Sequence, residues 1–232
     1  MPRLNIVIMA VGTRGDIQPF ILLGKALRND GHRVRLATHE CFRSLITSPN
    51  VGLEFYPLGG DPVKLSEYMV KSQGWLLPAN AELIMETPTY LSMLSDVLFS
   101  TWDACTAEDP LQGMSYGDDD IYGDVNSNIS SQEVLPPFKA SAIISNPVTY
   151  GHIHCAEALG IPLHLMFPQP WVPTKAFPHP LSFFDTNSGW NTKNLLSYEM
   201  IDRLLWVSME QEVNRFRRDM LGLQPIWMTL AQ

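Results

Sequence analysis

The chain has 232 residues, of which 45% are hydrophobic and 17% are charged, and its formal net charge is −8. This composition is sufficient for a hydrophobic core and excludes a wholly disordered chain. Its apolar stretches are all shorter than about ten residues, so no transmembrane helix is predicted. The apolar N-terminal run lacks the small-residue cleavage site of a signal peptide, and three cysteines without zinc spacing are typical of a reduced, cytoplasmic protein.

The first sixty residues predict a βαβαβ unit. Residues 4–11 form an apolar run with β-branched side chains, typical of a strand buried on both faces of a parallel sheet. The turn GTRGDIQP leads into a helix that ends at Asp30-Gly31. A strand at 32–38, a short helix at 40–46 and a strand at 51–56 follow. This alternation is the opening of a doubly wound, Rossmann-like parallel sheet.

The remaining elements continue the α/β pattern. Two helices are expected before the middle of the chain, at 62–73 and 81–104, the second interrupted near Pro88. The later elements are strands at 141–145 and 162–167, a helix at 150–159, a loop rich in Pro and aromatic residues at 168–180, and a long helix at 195–221.

A strongly acidic segment divides the two halves. Residues 103–138 carry eight Asp or Glu and no Lys or Arg, with many Gly, Ser and Asn residues. We predict a flexible surface loop at about 107–138. The acidic spacing does not fit a calcium loop, so no metal site is expected. No basic patch occurs, so nucleic-acid binding is not expected.

The turn after the first strand is the first candidate site, because ligands of open α/β sheets bind at the carboxyl ends of strands. Gly12 and Gly15 allow a tight turn and a close ligand approach. The GxGxxG dinucleotide pattern is absent, and the second strand ends in Thr38 and His39 rather than an acid, which disfavours a nicotinamide enzyme. No phosphate-binding P-loop or GxSxG serine motif is present either.

Asp16 in this turn has two interpretations. It is either the N-cap of the following helix or a carboxylate that faces a cleft and takes a proton from an attacking hydroxyl. The two conflict in part, because helix N–H groups stabilise the carboxylate and lower its basicity.

The second half supplies further candidates. His152, in YGHIHCAEALG, and His179, in FPHP, lie in segments expected near the same sheet edge, whereas His164 is interpreted as a core histidine. The stiff loop with Trp171 and Phe177 is typical of the wall of an apolar pocket, and equally of a loop folded back on the core.

Several ordered motifs then carry a resemblance, from about residue 4 to residue 225. They are NIVIMAVGTRGDIQPFILLGKALRNDGHRVRLATHECFR, GLEFYPLGGDP, AIISNPVTYGHIHCAEALGIPLHLMF, PWVPTKAFPHP and LGLQP. Together they resemble the N-terminal half of sterol 3β-glucosyltransferases, which are of the glycosyltransferase family 28 type. The resemblance implies a GT-B fold, with residues 1–232 as one acceptor-binding domain.

The resemblance also implies a chemistry and a set of site residues. Asp16 would be the general base of an inverting glucosyl transfer to the 3β-hydroxyl of a sterol, with Gly12, Thr13, Arg14 and Gly15 as the active-site loop. His152, Trp171, Phe177 and His179 would bind the acceptor. UDP-glucose would be a co-substrate, with no cofactor or metal, and a peripheral contact with membranes is expected.

Two departures from the family pattern matter. The loop reads PQPWVPT where TMPWTPT is expected, so Pro168 and Val172 differ and the acceptor could be a non-sterol aglycone. The family continues beyond Gln232 into a donor-binding domain, which is expected to be missing here. The chain alone is then expected to bind UDP-glucose negligibly, and the alternative function is that of a catalytically inactive remnant that binds sterol or another lipid.

Overall fold

The computed structural model of the chain describes residues 2–72, 81–111, 136–168, 171–182 and 191–227. Within these residues lies a parallel sheet of five strands in the order β3-β2-β1-β4-β5. The strands are Asn5–Met9 (β1), Arg33–His39 (β2), Glu54–Leu58 (β3), Ala142–Ser145 (β4) and Leu163–Leu165 (β5). The chain winds outward from β1 in both directions, which confirms the predicted doubly wound α/β fold.

The helices of the described residues lie close to their predicted positions. They are Arg14–Asn29 (α1), Arg43–Thr47 (α2), Pro62–Lys71 (α3), Ala81–Thr106 (α4), His152–Leu159 (α5) and Asn191–Asp219 (α6), with single 3-10 turns at Glu40–Phe42 and Pro147–Thr149. The predicted interruption near Pro88 is wrong, because α4 continues through this residue. A proline removes one helical hydrogen bond, to the carbonyl four residues earlier, and here that residue is the exposed Ile84, where water can replace the bond.

The central strand shows why the sheet is buried on both faces. Val7 and Met9 pack in a core that includes side chains of α4, α5 and α6. Ile6 and Ile8 face the opposite way and pack with side chains of α1 and α2. Because side chains alternate along a strand, one apolar run supplies both layers, as the continuous pattern of β1 predicts.

Strand β2 is buried along its whole length although it carries two arginines. Arg33 forms an ion pair with Glu54 on β3, with 2.5 Å between Nε and Oε1. The Arg35 guanidinium lies 3.8 Å above the ring of Phe138 and donates to the carbonyl oxygens of Ala104 and Ala107. These partners replace water around the two charges and allow the strand to be buried.

The ends of the acidic segment contact this arginine-bearing face. Glu108 lies 3.4 Å from Arg35 and accepts a hydrogen bond from the backbone N–H of Phe138. Asp109 forms an ion pair with Arg43 at the start of α2. Two of the eight acids therefore have cationic partners from earlier in the chain. Residues 112–135, on which most of the loop prediction falls, lie outside the described residues.

None of the described helices combines the length and the hydropathy that are needed to span a bilayer.

Candidate active site

The carboxyl ends of the strands open into a cleft of about 330 Å³. Its lining comes from the turns after β1, β4 and β5, from the first turn of α1, and from α3 and α4. Among the described residues the lining side chains are Val11, Gly12, Thr13, Asp16, Pro62, Leu65, Ser66, Met69, Tyr90, Leu94, Val148, Tyr150, Phe167, Trp171 and Leu181. The cleft is therefore mainly apolar, with one carboxylate, and none of these lining residues is basic. Such a cleft suits an apolar ligand with one reactive polar group.

The turn after β1 brings the Asp16 carboxylate over the backbone of Gly12. Gly12 has a φ of +138°. A Cβ atom placed on it would overlap the Oδ2 atom of Asp16. Only glycine therefore fits here, both for its backbone conformation and for the close approach of the carboxylate.

The N-cap of α1 is Thr13, so the interpretation of Asp16 as the N-cap is wrong. Asp16 is the third helical residue, and its Oδ2 accepts hydrogen bonds from the Thr13 backbone N–H at 2.8 Å and from Thr13 Oγ1 at 3.1 Å. Its Oδ1 accepts no hydrogen bond from the described part of the chain. One oxygen thus fixes the side chain at the helix start, and the other is free to meet a ligand in the cleft.

Not all of the predicted active-site loop lines the cleft. Gly12 and Thr13 do, whereas Arg14 and Gly15 are exposed and lie outside the lining. Both residues lie at the exposed start of α1, which begins at Arg14.

The wall from α3 and α4 includes an aromatic pair that sequence reasoning did not single out. Tyr90 stacks on Tyr68, with ring centroids 4.1 Å apart and planes 14° apart. The Tyr90 hydroxyl donates to the sulfur of Met69 at 3.4 Å, and burial raises the pKa of Tyr90 to about 12. This wall therefore stays uncharged at physiological pH. The only signal in the sequence is an aromatic residue on an apolar helix, which is equally typical of a core position.

Tyr150, in the turn after β4, is a second cleft residue that sequence reasoning missed. It is the one non-glycine residue of the described chain with positive φ, at 54°. Burial raises the pKa of its hydroxyl. Gly151 follows it, and a Cβ there would overlap Oγ1 of Thr101 on α4. A strained backbone for a bulky residue persists only where surrounding contacts impose it, and such strain is common at functional sites.

The Pro-rich loop fulfils both of its predicted roles, with different residues. Phe167, Trp171 and Leu181 line the cleft, with the rings of Phe167 and Trp171 edge to face at 5.2 Å. His179 is instead buried behind Trp171, 4.7 Å between ring centroids, and against Tyr198 of α6. Phe177 is 42% exposed and does not line the cleft.

His152 and His154, both in the first turn of α5, are buried away from the cleft lining. His152 Nδ1 lies 2.5 Å from Thr149 Oγ1, which in turn lies 2.7 Å from Ser145 Oγ. Burial lowers the pKa of His152 to about 4, so its ring is neutral. The expected core position of His164 is wrong: β5 is an edge strand, and this side chain is exposed. As acceptor-binding residues, His152, Trp171, Phe177 and His179 stay predictions.

No group of three His, Cys, Asp or Glu side chains within the described residues is arranged to hold a metal ion.

Comparison with known proteins gives a match to one family model and several similar proteins. Residues 6–102 match the glycosyltransferase family 28 N-terminal domain. Two sterol 3-beta-glucosyltransferases of Arabidopsis thaliana are 42% and 41% identical to this chain over 226 residues. These alignments cover 97% of this chain but 30% and 32% of the relatives, so the chain spans about a third of their length.

Among solved structures, the glycotransferase of kitacinnamycin is similar in fold. It gives a TM-score of 0.51 at 16% identity and covers 97% of this chain and 42% of that chain. The sheet order and this likeness agree with the Rossmann-like α/β fold that the sequence predicts.

Proposed function

We propose that this chain, which carries the glycosyltransferase family 28 N-terminal domain at residues 6–102, is the acceptor-binding half of a glycosyltransferase that moves glucose from UDP-glucose to the 3β-hydroxyl of a sterol. The observation that carries the proposal is the free Oδ1 of Asp16 at the edge of an otherwise apolar cleft. The sterol glucosyltransferase names of the Arabidopsis relatives support the choice of substrate class.

The apolar walls account for binding of the acceptor. Met69 and Tyr90 on one side and Trp171 on the other present hydrophobic surface to the cleft. Each Å² of apolar surface that leaves water contributes about 25 cal/mol to binding. A rigid, apolar polycyclic ligand with one hydroxyl suits such a cleft, because the walls offer few hydrogen-bonding groups that it would leave unpaired.

Asp16 accounts for the chemistry. With the acceptor hydroxyl beside Oδ1, the carboxylate accepts the hydroxyl proton while the acceptor oxygen forms a bond to the anomeric carbon of glucose. The bond between that carbon and the β-phosphate oxygen breaks, and UDP leaves with its electron pair. Attack from the face opposite the leaving group inverts the anomeric configuration. The two hydrogen bonds from Thr13 to Oδ2 keep the carboxylate oriented during the transfer.

The donor is proposed to be held mainly by a second domain across the cleft. No basic residue belongs to the cleft lining among the described residues. Asp16 also places a negative charge at the start of α1, where a diphosphate would otherwise be attracted. The 232-residue chain is therefore expected to bind a sterol weakly and UDP-glucose negligibly.

A cytoplasmic location with peripheral membrane contact is part of the proposal. Val70 and Val172 are 75% and 79% exposed and directly follow Met69 and Trp171, which line the cleft. Apolar residues next to the cleft suit an acceptor that is taken from a lipid surface.

A chimera tests the proposal. The aligned 226 residues of the Arabidopsis relative are replaced by those of this chain, and sterol glucoside formed from UDP-glucose is measured. Transfer to a sterol supports the proposal. A chimera that folds and binds sterol without transfer favours the non-catalytic lipid-binding alternative, and transfer only to other aglycones contradicts the sterol assignment.

A further inference from the structure

His39 connects two turns at the carboxyl edge of the sheet. It is the last residue of β2, and its side chain is almost completely buried, with 1% exposed. Its Nδ1 lies 3.0 Å from the carbonyl oxygen of Gly60, in the turn before α3. Its Nε2 lies 3.4 Å from the backbone nitrogen of Gly12, in the turn before α1.

These two contacts define the state of the ring. A carbonyl oxygen only accepts hydrogen bonds, so Nδ1 carries the hydrogen and donates to Gly60. Nε2 is then the acceptor and faces the N–H of Gly12. A protonated ring would turn an N–H toward that N–H, so only the neutral form fits both turns. Burial lowers the pKa of His39, against smaller opposing effects of the backbone of Gly60 and Gly59 and of the Asp61 charge, in agreement with the neutral form.

The two turns that the ring joins belong to opposite sides of the cleft. The Asp16 carboxylate packs directly over the backbone of Gly12. The turn at Gly60 leads to Asp61, the N-cap of α3, and Pro62, Leu65 and Met69 of this helix line the other wall. The imidazole therefore lies between the turn under the carboxylate and the turn that leads into that wall.

We propose that His39 is a positioning residue that holds the Asp16 turn at a fixed distance from the α3 wall of the cleft. The proposal rests on the proposed role of Asp16 as the base. His39 is not among the cleft-lining residues, so its effect reaches the reaction through Gly12 and Gly60. Loss of the ring contacts should misplace the base relative to a bound acceptor while the apolar walls stay in place.

Three substitutions separate positioning from packing. His39→Phe keeps an aromatic ring of similar size and removes both hydrogen bonds. His39→Gln reaches the position of Nε2 and restores an acceptor for Gly12, whereas His39→Asn reaches the position of Nδ1 and restores only a donor for Gly60. The exposed His164→Gln is the matched control.

Two measurements test the proposal. In the sterol-transferring chimera, His39→Phe and His39→Asn should each lower kcat by about 10-fold or more and change KM little. Small displacements of a catalytic group lower the rate strongly. Gln should recover most of the rate. In the 232-residue chain, NMR should show faster hydrogen exchange of the Gly12 amide in the Phe and Asn variants than in the wild type and the Gln variant.

Unchanged kcat and unchanged Gly12 exchange in the Phe variant would overturn the proposal, as would a Gln variant no better than Asn. If the Phe variant fails to fold, the Gln and Asn pair decides by the same comparison. Failure of the proposed function would give a different result from failure of the His39 proposal. In the first case transfer survives the Asp16→Asn substitution, while hydrogen exchange of the Gly12 amide still reports on His39.

Discussion

Thr13 holds one oxygen of the cleft-lining Asp16 carboxylate, while the other accepts no hydrogen bond from the described residues. Its backbone N–H and its hydroxyl both donate to Oδ2, at 2.8 and 3.1 Å. Under the proposed function, the contact with the helix start and the acceptance of a proton use different oxygens of Asp16. The same two hydrogen bonds would then stabilise the helix start and orient the proposed base.

Replacement of Thr13 should separate its two contributions. Thr13→Val removes the hydroxyl and keeps the backbone N–H, so we expect the free energy of unfolding to fall by about 1 kcal/mol, as for loss of a helix cap. Transfer in the chimera should also slow, because Oδ2 keeps only one hydrogen bond. Thr13→Ser is the control that should restore both. Urea denaturation and kcat measure the effects, and a Val variant equal to Ser in both would refute the prediction.

The turn that carries Tyr150 should tolerate no side chain at Gly151. Gly151 has ordinary helical angles, but a Cβ would overlap Thr101 Oγ1 and lie 2.9 Å from the Leu98 carbonyl oxygen. We expect Gly151→Ala to lower the free energy of unfolding by about 2 kcal/mol or more, as overpacking does. Gly160 has φ +65° and open space, so Gly160→Ala should cost only about 1 kcal/mol of backbone strain. The reverse order in urea denaturation would contradict this packing.

Two buried histidines of α5 should make the fold sensitive to acid. Burial lowers the pKa of His152 and His154 to about 4, below the 6.5 expected for an unfolded chain. The unfolded state therefore binds protons first as the pH falls. The stability due to the neutral rings is complete above pH 6.5 and is lost progressively down to about pH 4. Such a shift corresponds to on the order of 3 kcal/mol for each ring.

Urea denaturation at pH values from about 7.5 to about 4.5 measures this loss of stability. His152→Gln and His154→Gln should each flatten the pH dependence, whereas the exposed His164→Gln should leave it unchanged. A pH dependence that is the same in all three variants would assign the acid sensitivity to other groups.

The acidic segment should matter for stability at its ends. Glu108→Ala leaves the buried Arg35 guanidinium without its carboxylate at 3.4 Å, and we expect a loss of about 1–3 kcal/mol. Deletion of residues 115–133, which lie outside the described residues, should change the free energy of unfolding by less than about 1 kcal/mol, because loop closure depends weakly on length. Thermal unfolding of both variants tests the contrast, and a deletion that costs more than Glu108→Ala would contradict it.

The strands, most helices and the turn that bears Asp16 could be predicted because their signals are local. The apolar run of β1 and the GTRGD turn each lie within a dozen neighbouring residues. The cleft wall on α4 could not be predicted from the sequence. The pattern around Tyr90 is equally typical of a core aromatic residue, and its role depends on the packing of α3 beside it. The close approach of Gly151 to Thr101, which is 50 residues earlier in the chain, likewise leaves no local signal.

His39 illustrates the same limit. Its place at the end of β2 predicts a position at the carboxyl edge of the sheet. Its two hydrogen-bond partners, Gly12 and Gly60, become known only from the folded structure. Burial of Arg35 depends on Phe138, more than 100 residues away in sequence. Pairings of this kind are tertiary and leave no periodic signal.

The most direct test of the account is the Asp16→Asn substitution in the chimera that transfers glucose to a sterol. Asparagine keeps the size of the side chain and an oxygen for the Thr13 hydrogen bonds, and it removes the basic oxygen. Asp30→Asn, at an exposed position at the other end of α1, is the control. We predict that Asp16→Asn retains the fold and sterol binding and lowers kcat by about 10²- to 10⁴-fold, while the control is unchanged. Transfer at a near wild-type rate by the Asn variant would show that Asp16 only stabilises the helix and would contradict the account.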